Sequence, residues 1–275
     1  MKPAAFDYVR ADAPDEAAAL LARHGEDARI LAGGQSLMAV LNMRLAQPSV
    51  LIDISRSRDM AAIAREGGSL RVGASATQSQ LEAHAELPPL LALAFPYISH
   101  FQIRNRGTVC GSIAHADPSA ELPLCLLALQ GVVHLRSARR HRSVAAAEFF
   151  TGLLSTARAP DELVEAVSFP LPRAGEGTGF AEFSRRHGDY AVCAVAAVVH
   201  AGRLRLAAAG VSDRPVALEL PIPEGDALDE AINDWAWSLP LRDDPHTTAA
   251  TRRHLLRRLA PLAVAQAIAH ARRTQ

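Results

Sequence analysis

An apolar run that stops at two adjacent glycines constrains this chain more than any other feature. Ala28-Arg29-Ile30-Leu31-Ala32 reads as a short buried strand, Gly33-Gly34 follow at once, and Gln35-Ser36-Leu37 open a different pattern. From Ser36 to Leu45, Leu37, Leu41 and Leu45 recur at i, i+4 and i+8, the spacing of one helix face. A chain that turns sharply from strand into helix leaves several N–H groups without a partner in either element. Those donors converge, and the helix dipole adds positive potential, so the turn suits a phosphate or pyrophosphate. Glycine is needed where a Cβ would block the backbone angles or a ligand's approach. A side chain at Gly34 is accordingly expected to intrude on a bound pyrophosphate. Taken alone, the pair reads first as a plain turn, as most Gly-Gly pairs after a strand do.

A second turn changes that balance. Thr108-Val109-Cys110-Gly111-Ser112 lies roughly seventy residues further on, in a segment from Phe101 rich in small and polar residues, and reads as another loop offering N–H groups and hydroxyls. Two such loops in segments of different texture point to a ligand held between subdomains, and a long diphosphate cofactor fits better than a small anion. Asp117 and Glu121, just downstream, offer carboxylates to sugar or ribityl hydroxyls. In the alternative reading Asp117-Pro118 starts a turn and Glu121 caps a helix.

Around these loops the pattern is mixed. Pro14 and the acids Asp15 and Glu16 mark a helix start, with the helix running through Ala17–Arg23 to Gly25; Val50-Leu51-Ile52-Asp53-Ile54 reads as a further buried strand. Helix and strand alternate over the first 55 residues, which suggests a small parallel α/β subdomain. From Ile63 to Val72 two alternating runs flank Gly67-Gly68, a hairpin signal, and Thr77-Gln78-Ser79-Gln80 resembles a capping box. Helices are expected from about Pro88 to Ile98 and, after Pro123, over an apolar run to Leu129, and strands at Val132–Arg136 and Leu163–Phe169. Pro172 to Gly179 is rich in glycine and free of pattern, the best linker candidate. Beyond it, Val192–His200 and Leu204–Val211 form either an antiparallel pair or, for the alanine-rich first run, a helix. Two more helices are expected, at Ala227–Trp237 and Ala249–Ala271. Pro261 should break or kink the second, and Arg252, Arg253, Arg257 and Arg258 should form a solvated or partner-facing edge.

Composition narrows the partners. Lys and Arg number 29 against 29 Asp and Glu, so no global field favours nucleic acid or an acidic membrane, and aromatics at 5% disfavour base-stacking platforms. The three cysteines, Cys110, Cys125 and Cys193, lie far apart, which excludes an iron–sulfur cluster held by four cysteines of this chain. The eleven histidines lack ligand spacing, and no metal is expected. No stretch has the length of a membrane span or the pattern of a signal peptide, which gives a soluble, cytoplasmic protein as the expectation.

The motifs also carry a family likeness. Ala32-Gly33-Gly34-Gln35-Ser36-Leu37 and Thr108-Val109-Cys110-Gly111-Ser112 resemble the paired FAD motifs, A-G-G-H-S-L and T-I-G-G-N, of the flavin-binding medium subunit of molybdenum hydroxylases, the xanthine dehydrogenase and carbon monoxide dehydrogenase family. The resemblance extends to Gln102-Ile103-Arg104-Asn105, Asp117-Pro118, Glu148-Phe149-Phe150-Thr151-Gly152 and Gly188-Asp189-Tyr190-Ala191, in the family's order over nearly the whole chain.

That resemblance implies an α+β protein: a two-subdomain FAD-binding domain of the vanillyl-alcohol oxidase type over residues 1–172, divided near 55, then a smaller C-terminal α+β domain over 173–275. It implies that Ala32, Gly33, Gly34, Gln35, Ser36 and Leu37 contact FAD together with Thr108, Val109, Cys110, Gly111 and Ser112. Asp117 and Glu121 would face the ribityl chain, and Tyr190 the isoalloxazine. Gln35 departs from a frequent histidine and cannot titrate. Cys110 stands in place of a glycine, so its backbone must avoid glycine-only angles or carry strain. Ser112 replaces asparagine. The resemblance further implies an electron-transfer subunit with no general acid, base or nucleophile of its own. Its implied partners are an iron–sulfur small subunit and a large molybdopterin subunit, in a dimer of heterotrimers. The rivals are a self-contained flavin oxidase of a small alcohol or aldehyde, and a scaffold subunit whose loops bind another nucleotide or nothing.

Overall fold

Three sheets carry the chain, each with its own helices, in a computed structural model that describes residues 2–223, 225 and 227–274. The first is parallel, in the order β1 (Asp7–Arg10), β3 (Val50–Asp53), β2 (Ala28–Leu31). Every residue of β3 is buried, as expected of a central parallel strand whose two faces are both covered. Helix α1 (Pro14–His24) starts on proline, with Glu16 reaching back to the N–H groups of Asp12 and Ala13, and lays Ala17 and Leu21 on this sheet. Helix α2 (Leu37–Asn42) follows β2 directly. Strand β1 escapes the sequence reading because Asp-Tyr-Val-Arg is polar and mostly exposed. Backbone pairing with β3 and the bond from the Tyr8 phenol to Asp53 hold it in place.

The second sheet is antiparallel. The expected hairpin is present as β4 (Ile63–Glu66) and β5 (Ser69–Gly73), joined by β6 (Val132–Arg136), β7 (His141–Ala145) and β10 (Leu163–Pro170) in the order β4-β5-β10-β6-β7. A small separate hairpin, β8 (Phe150–Gly152) with β9 (Ser155–Thr156), turns through Leu153 and Leu154. Between β5 and β6 come five helices: α3 (Gln78–Glu82), with the expected Thr77–Gln80 capping box, α4 (Pro89–Ala94), α5 (Phe101–Arg104), α6 (Val109–His115) and α7 (Glu121–Ala128). A sixth, α8 (Ala146–Phe149), follows β7. All eight residues of α7 are buried, and each fully buried leucine contributes about 1.5–3 kcal/mol.

The third sheet, β11 (Gly177–Phe183), β12 (Cys193–His200), β13 (Arg203–Ala209) and β14 (Val216–Pro221), is antiparallel throughout, which decides for strand over helix at Val192–His200. Helices α9 (Ala227–Ser238) and α10 (Ala249–Ala271) cover one face. The other face packs on α4 and α7, so Phe180, Ala194, Ala196 and Val198 belong to the core of the second sheet. Two expectations need correction here. The proposed linker is partly strand: Gly177 and Gly179 lie in β11, where a Cβ would overlap backbone of α10, so these glycines serve close packing and not flexibility. Nor is Arg252 a solvated residue. Its guanidinium donates to the carbonyls of Val192, at 2.9 Å, and Gly210, and pairs with Asp244. Arg253 lies over the Trp237 ring at 4.0 Å, leaving only Arg257 and Arg258 of the four exposed. Helix α10 runs through Pro261 without a break. Among the described residues no helix is long and apolar enough to cross a membrane.

Candidate functional site

The strand-to-helix turn forms as its sequence requires. Gly34 takes φ +72°, a left-handed angle that glycine adopts without cost, and Gln35 folds back so that its Nε2 donates to the Gly33 carbonyl at 3.0 Å. Ser36 precedes α2 without capping it. Among the described residues, the N–H groups of Gly33, Gly34, Gln35, Ser36 and Leu37 find no acceptor, so the donors expected from the sequence remain free.

The second segment is built differently from the expected loop. Thr108 is an N-cap, its Oγ1 accepting from the Gly111 N–H at 3.0 Å, and Val109 to Ser112 form the first turns of α6. Val109 N–H donates to Ala76 O at 3.1 Å and Ser112 N–H to Thr108 O at 3.2 Å, so this segment offers fewer free donors than the loop reading supposed. Cys110 adopts helical angles and needs no strained backbone; its thiol donates to the Val72 carbonyl at 3.4 Å, and burial pushes it up to about 12. The two segments touch directly. A Cβ on Gly33 would overlap the Arg106 carbonyl oxygen and crowd Gly107.

Between them opens a cavity of about 610 Å³, within the ordinary range for small-molecule sites. Its walls include Ala32 to Leu37 from the first turn, Thr108, Cys110, Gly111 and Ser112 from the second, and Glu121 and Tyr190. Two sequence candidates lie off this wall. Val109 is wholly buried in the core, and Asp117 makes the turn of the alternative reading, accepting from Ser119 N–H at 2.9 Å. Glu121, the first residue of α7, is only 4% exposed, and its carboxyl is pushed up to about 7 by burial, with the Asp117 charge adding. Tyr190 stands on a turn at Gly188, φ +84°, seated so closely on His100 that a Cβ would approach its ring to 2.9 Å. Tyr190 is 53% exposed, and partial desolvation of its phenol, aided by the Asp117 and Glu121 charges, pushes it up to about 12.

Sequence reading missed several wall residues. Ser99 and Leu154 both hold left-handed angles, φ +45° and +51°, which non-glycine residues rarely adopt outside functional or tightly constrained sites. Ser99 is held by Arg104 of the Gln-Ile-Arg-Asn motif, whose guanidinium donates to Glu82 at 2.8 and 3.2 Å and to Ile98 O at 2.9 Å. Gln78 lines the cavity from within the capping box, its amide oxygen buried without a partner among the described residues. Arg158 is partly buried at the wall and bonded to the carbonyls of Ala159 and Glu162. The capping box around Gln78 and the Gln-Ile-Arg-Asn motif beside Ser99 were the signals near these residues.

Similarity to known proteins bears on the same features. Residues 4–172 match the family model described as the FAD binding domain in molybdopterin dehydrogenase. The chain is 43% identical over 202 residues to 6-hydroxypseudooxynicotine dehydrogenase complex subunit alpha of Paenarthrobacter nicotinovorans, covering 72% of this chain and 68% of that one. It is 35% identical to the carbon monoxide dehydrogenase medium chain of Afipia carboxidovorans, over 87% and 86% of the two chains. A crystal structure of Cu,Mo-CO dehydrogenase contains a chain that superposes with a TM-score of 0.92 at 31% identity, covering 98% of this chain and all of that one. The α+β architecture and the likeness carried by the glycine motifs agree with all three. The chain belongs to the family of FAD-binding domains of molybdopterin dehydrogenases.

Proposed function

We propose that this chain is the flavin station of a molybdenum hydroxylase complex. It would hold FAD in the cavity between the two turns, receive electrons from iron–sulfur clusters on a small partner subunit, and pass them to a terminal acceptor. A large partner subunit carrying molybdopterin would oxidise the substrate. The observation that supports this most directly is the run of free N–H groups from Gly33 to Leu37 at the wall of the cavity. Five free donors at a strand-to-helix turn fit a pyrophosphate. The donor set therefore fits the dinucleotide.

Bound FAD supplies the redox chemistry; the chain supplies binding, orientation and electrostatics. In this reading the amides of Gly33 to Leu37 and the Ser36 hydroxyl hold the pyrophosphate, with Ala32 linking them to the end of β2. Thr108, Cys110, Gly111 and Ser112 present a close backbone surface and two hydroxyls along the ribityl chain, and Glu121 meets its hydroxyls. Tyr190 covers the isoalloxazine. Val109 and Asp117 act from behind the wall, by fixing α6 and the turn into α7.

The relatives are named as a complex subunit and a medium chain, which favours this reading over a self-contained flavin oxidase. Flavin bound by family members likewise disfavours an empty scaffold. The proposal extends, on the family resemblance, to a dimer of heterotrimers in the cytoplasm. Purification of the complex from its native host tests it: FAD should be recovered on this chain, with iron, acid-labile sulfide and molybdopterin on co-purifying subunits. Recovery of a lone flavoprotein, or of a chain without flavin, would overturn it.

A further inference from the structure

Beside the cavity two stretches of chain, residues 99–106 and 183–190, bring arginines together on the surface. The stretches touch: the His100 and His187 rings lie 5.9 Å apart, and Gly188 is seated against His100. Asp189 N–H donates to Arg186 O at 3.1 Å, which fixes the turn that leads to the wall. Asp189 and Tyr190 belong to that wall. Arg106 ends the first stretch, and its carbonyl packs against Gly33, another wall residue.

The charge of this rim is one-sided. Arg104 is committed to Glu82, but Arg106, Arg185 and Arg186 pair with no carboxylate among the described residues; Arg185 donates only to the His246 ring, at 3.1 Å. Asp189 is the only acid in the two stretches. Near His246, Asp243 accepts from Ala249 N–H and Asp244 pairs with Arg252. The three arginines are exposed, and so are His100, His187 and the rings of Phe101 and Tyr190. Arginine and aromatic side chains are enriched where proteins recognise one another, and they carry most of the binding energy there. A surface this cationic suits an encounter that forms and parts, since permanent interfaces are more apolar.

We propose that this rim is the docking surface for an acidic electron-carrier protein, the acceptor that takes electrons away from the cavity. The inference rests on the reading that FAD occupies the cavity. Carboxylates of the carrier meet Arg106, Arg185 and Arg186, while Phe101 and Tyr190 pack on its apolar contact patch. For each pair of electrons, two oxidised carriers accept one electron each, and the protons bound on reduction return to water. Opposite charge speeds such encounters by about 10- to 1,000-fold, and salt screens the effect beyond about 8 Å at physiological ionic strength.

Stopped-flow reoxidation tests this. The FAD-loaded full chain, photoreduced, is mixed with oxidised plastocyanin, which presents an acidic face, with cytochrome c, which presents a basic one, or with ferricyanide, a small anion. The plastocyanin rate relative to cytochrome c should be about tenfold higher at low salt than at high salt. Arg185→Gln combined with Arg186→Gln should slow plastocyanin several-fold at low salt and leave cytochrome c unchanged or faster. A ratio indifferent to salt, or equal losses for the two proteins in the variant, would overturn the docking. A loss confined to ferricyanide would do the same, marking a gate for small anions. The native complex, reduced in the same way, should keep the preference for plastocyanin; its disappearance there would assign the rim to a permanent subunit and sink the proposal. A chain without flavin would defeat the functional reading itself, whereas a flavin-loaded chain indifferent to these charges would defeat the carrier alone.

Discussion

The α-carbon of Gly33 packs against the carbonyl of Arg106, joining the two turns back to back beneath the cavity. Gly33→Ala should therefore force the turns apart, destabilising the chain by about 1–3 kcal/mol and lowering its flavin content. Gly34 differs. A Cβ there points at Leu31 Cδ1 and Met38 Cγ, at 3.2 and 3.4 Å, so Gly34→Val should act through its left-handed backbone and those side chains, and not by direct intrusion on a pyrophosphate as the sequence suggested. Thermal midpoints and flavin per chain after gel filtration check both variants. A Gly33→Ala protein with unchanged flavin content would contradict the packing argument.

Thr108 caps α6 at the cavity wall. Thr108→Ala should leave the Gly111 N–H unpaired and cost about 1 kcal/mol, whereas Thr108→Ser should keep the cap. Urea unfolding of the three proteins provides the comparison, with loss in both variants pointing to the methyl group instead.

The stability of the flavin-free chain should fall as pH rises through the weakly acidic range. Unfolded, Glu121 ionises near the ordinary glutamate value of about 4.5; folded, it keeps its proton to about 7. Between those values the native chain binds one proton more than the unfolded chain through this group. Its contribution therefore declines by about 1.4 kcal/mol per pH unit and levels off above the folded value. Glu121→Gln should flatten the corresponding slope in urea midpoints measured from pH 5 to 8. A slope as steep as the wild type's would remove Glu121 as its source.

Gly179 has no room for a side chain, since its Cβ would overlap the Ala263 carbonyl oxygen of α10. Gly179→Ala should separate strand from helix and reduce soluble yield and thermal midpoint, while Gly202→Ala, at an open turn with φ +74°, should cost only about 1 kcal/mol. Equal effects of the two would show that β11 and α10 yield more easily than their spacing implies.

These variants also mark where the sequence could be read. The Gly33-Gly34 turn was legible because its signal is local: an apolar strand, two glycines, then helical spacing. Gly177 and Gly179 gave the same local signal as a linker, but their cause lies some ninety residues away in α10, beyond any window of periodicity. Thr108 to Ser112 read as loop since small polar residues are poor helix formers, yet the Thr108 cap and burial of Val109 and Ile113 carry them into α6. Arg252 resembled its exposed neighbours until two carbonyls from β-strand ends met it. Ser99 and Leu154 showed nothing in their residue types, because a strained angle belongs to the surroundings that impose it.

The inner face of the third sheet has one more consequence. Phe180, Ala194, Ala196 and Val198 complete the same hydrophobic core as Leu122, Leu124 and Leu126 of α7, the helix whose first residue reaches the cavity. Cutting the chain after residue 172, where the family match ends, would bare that helix to water. The last hundred residues thus act as a roof for the nucleotide fold, and any surgery on them will be felt at the flavin.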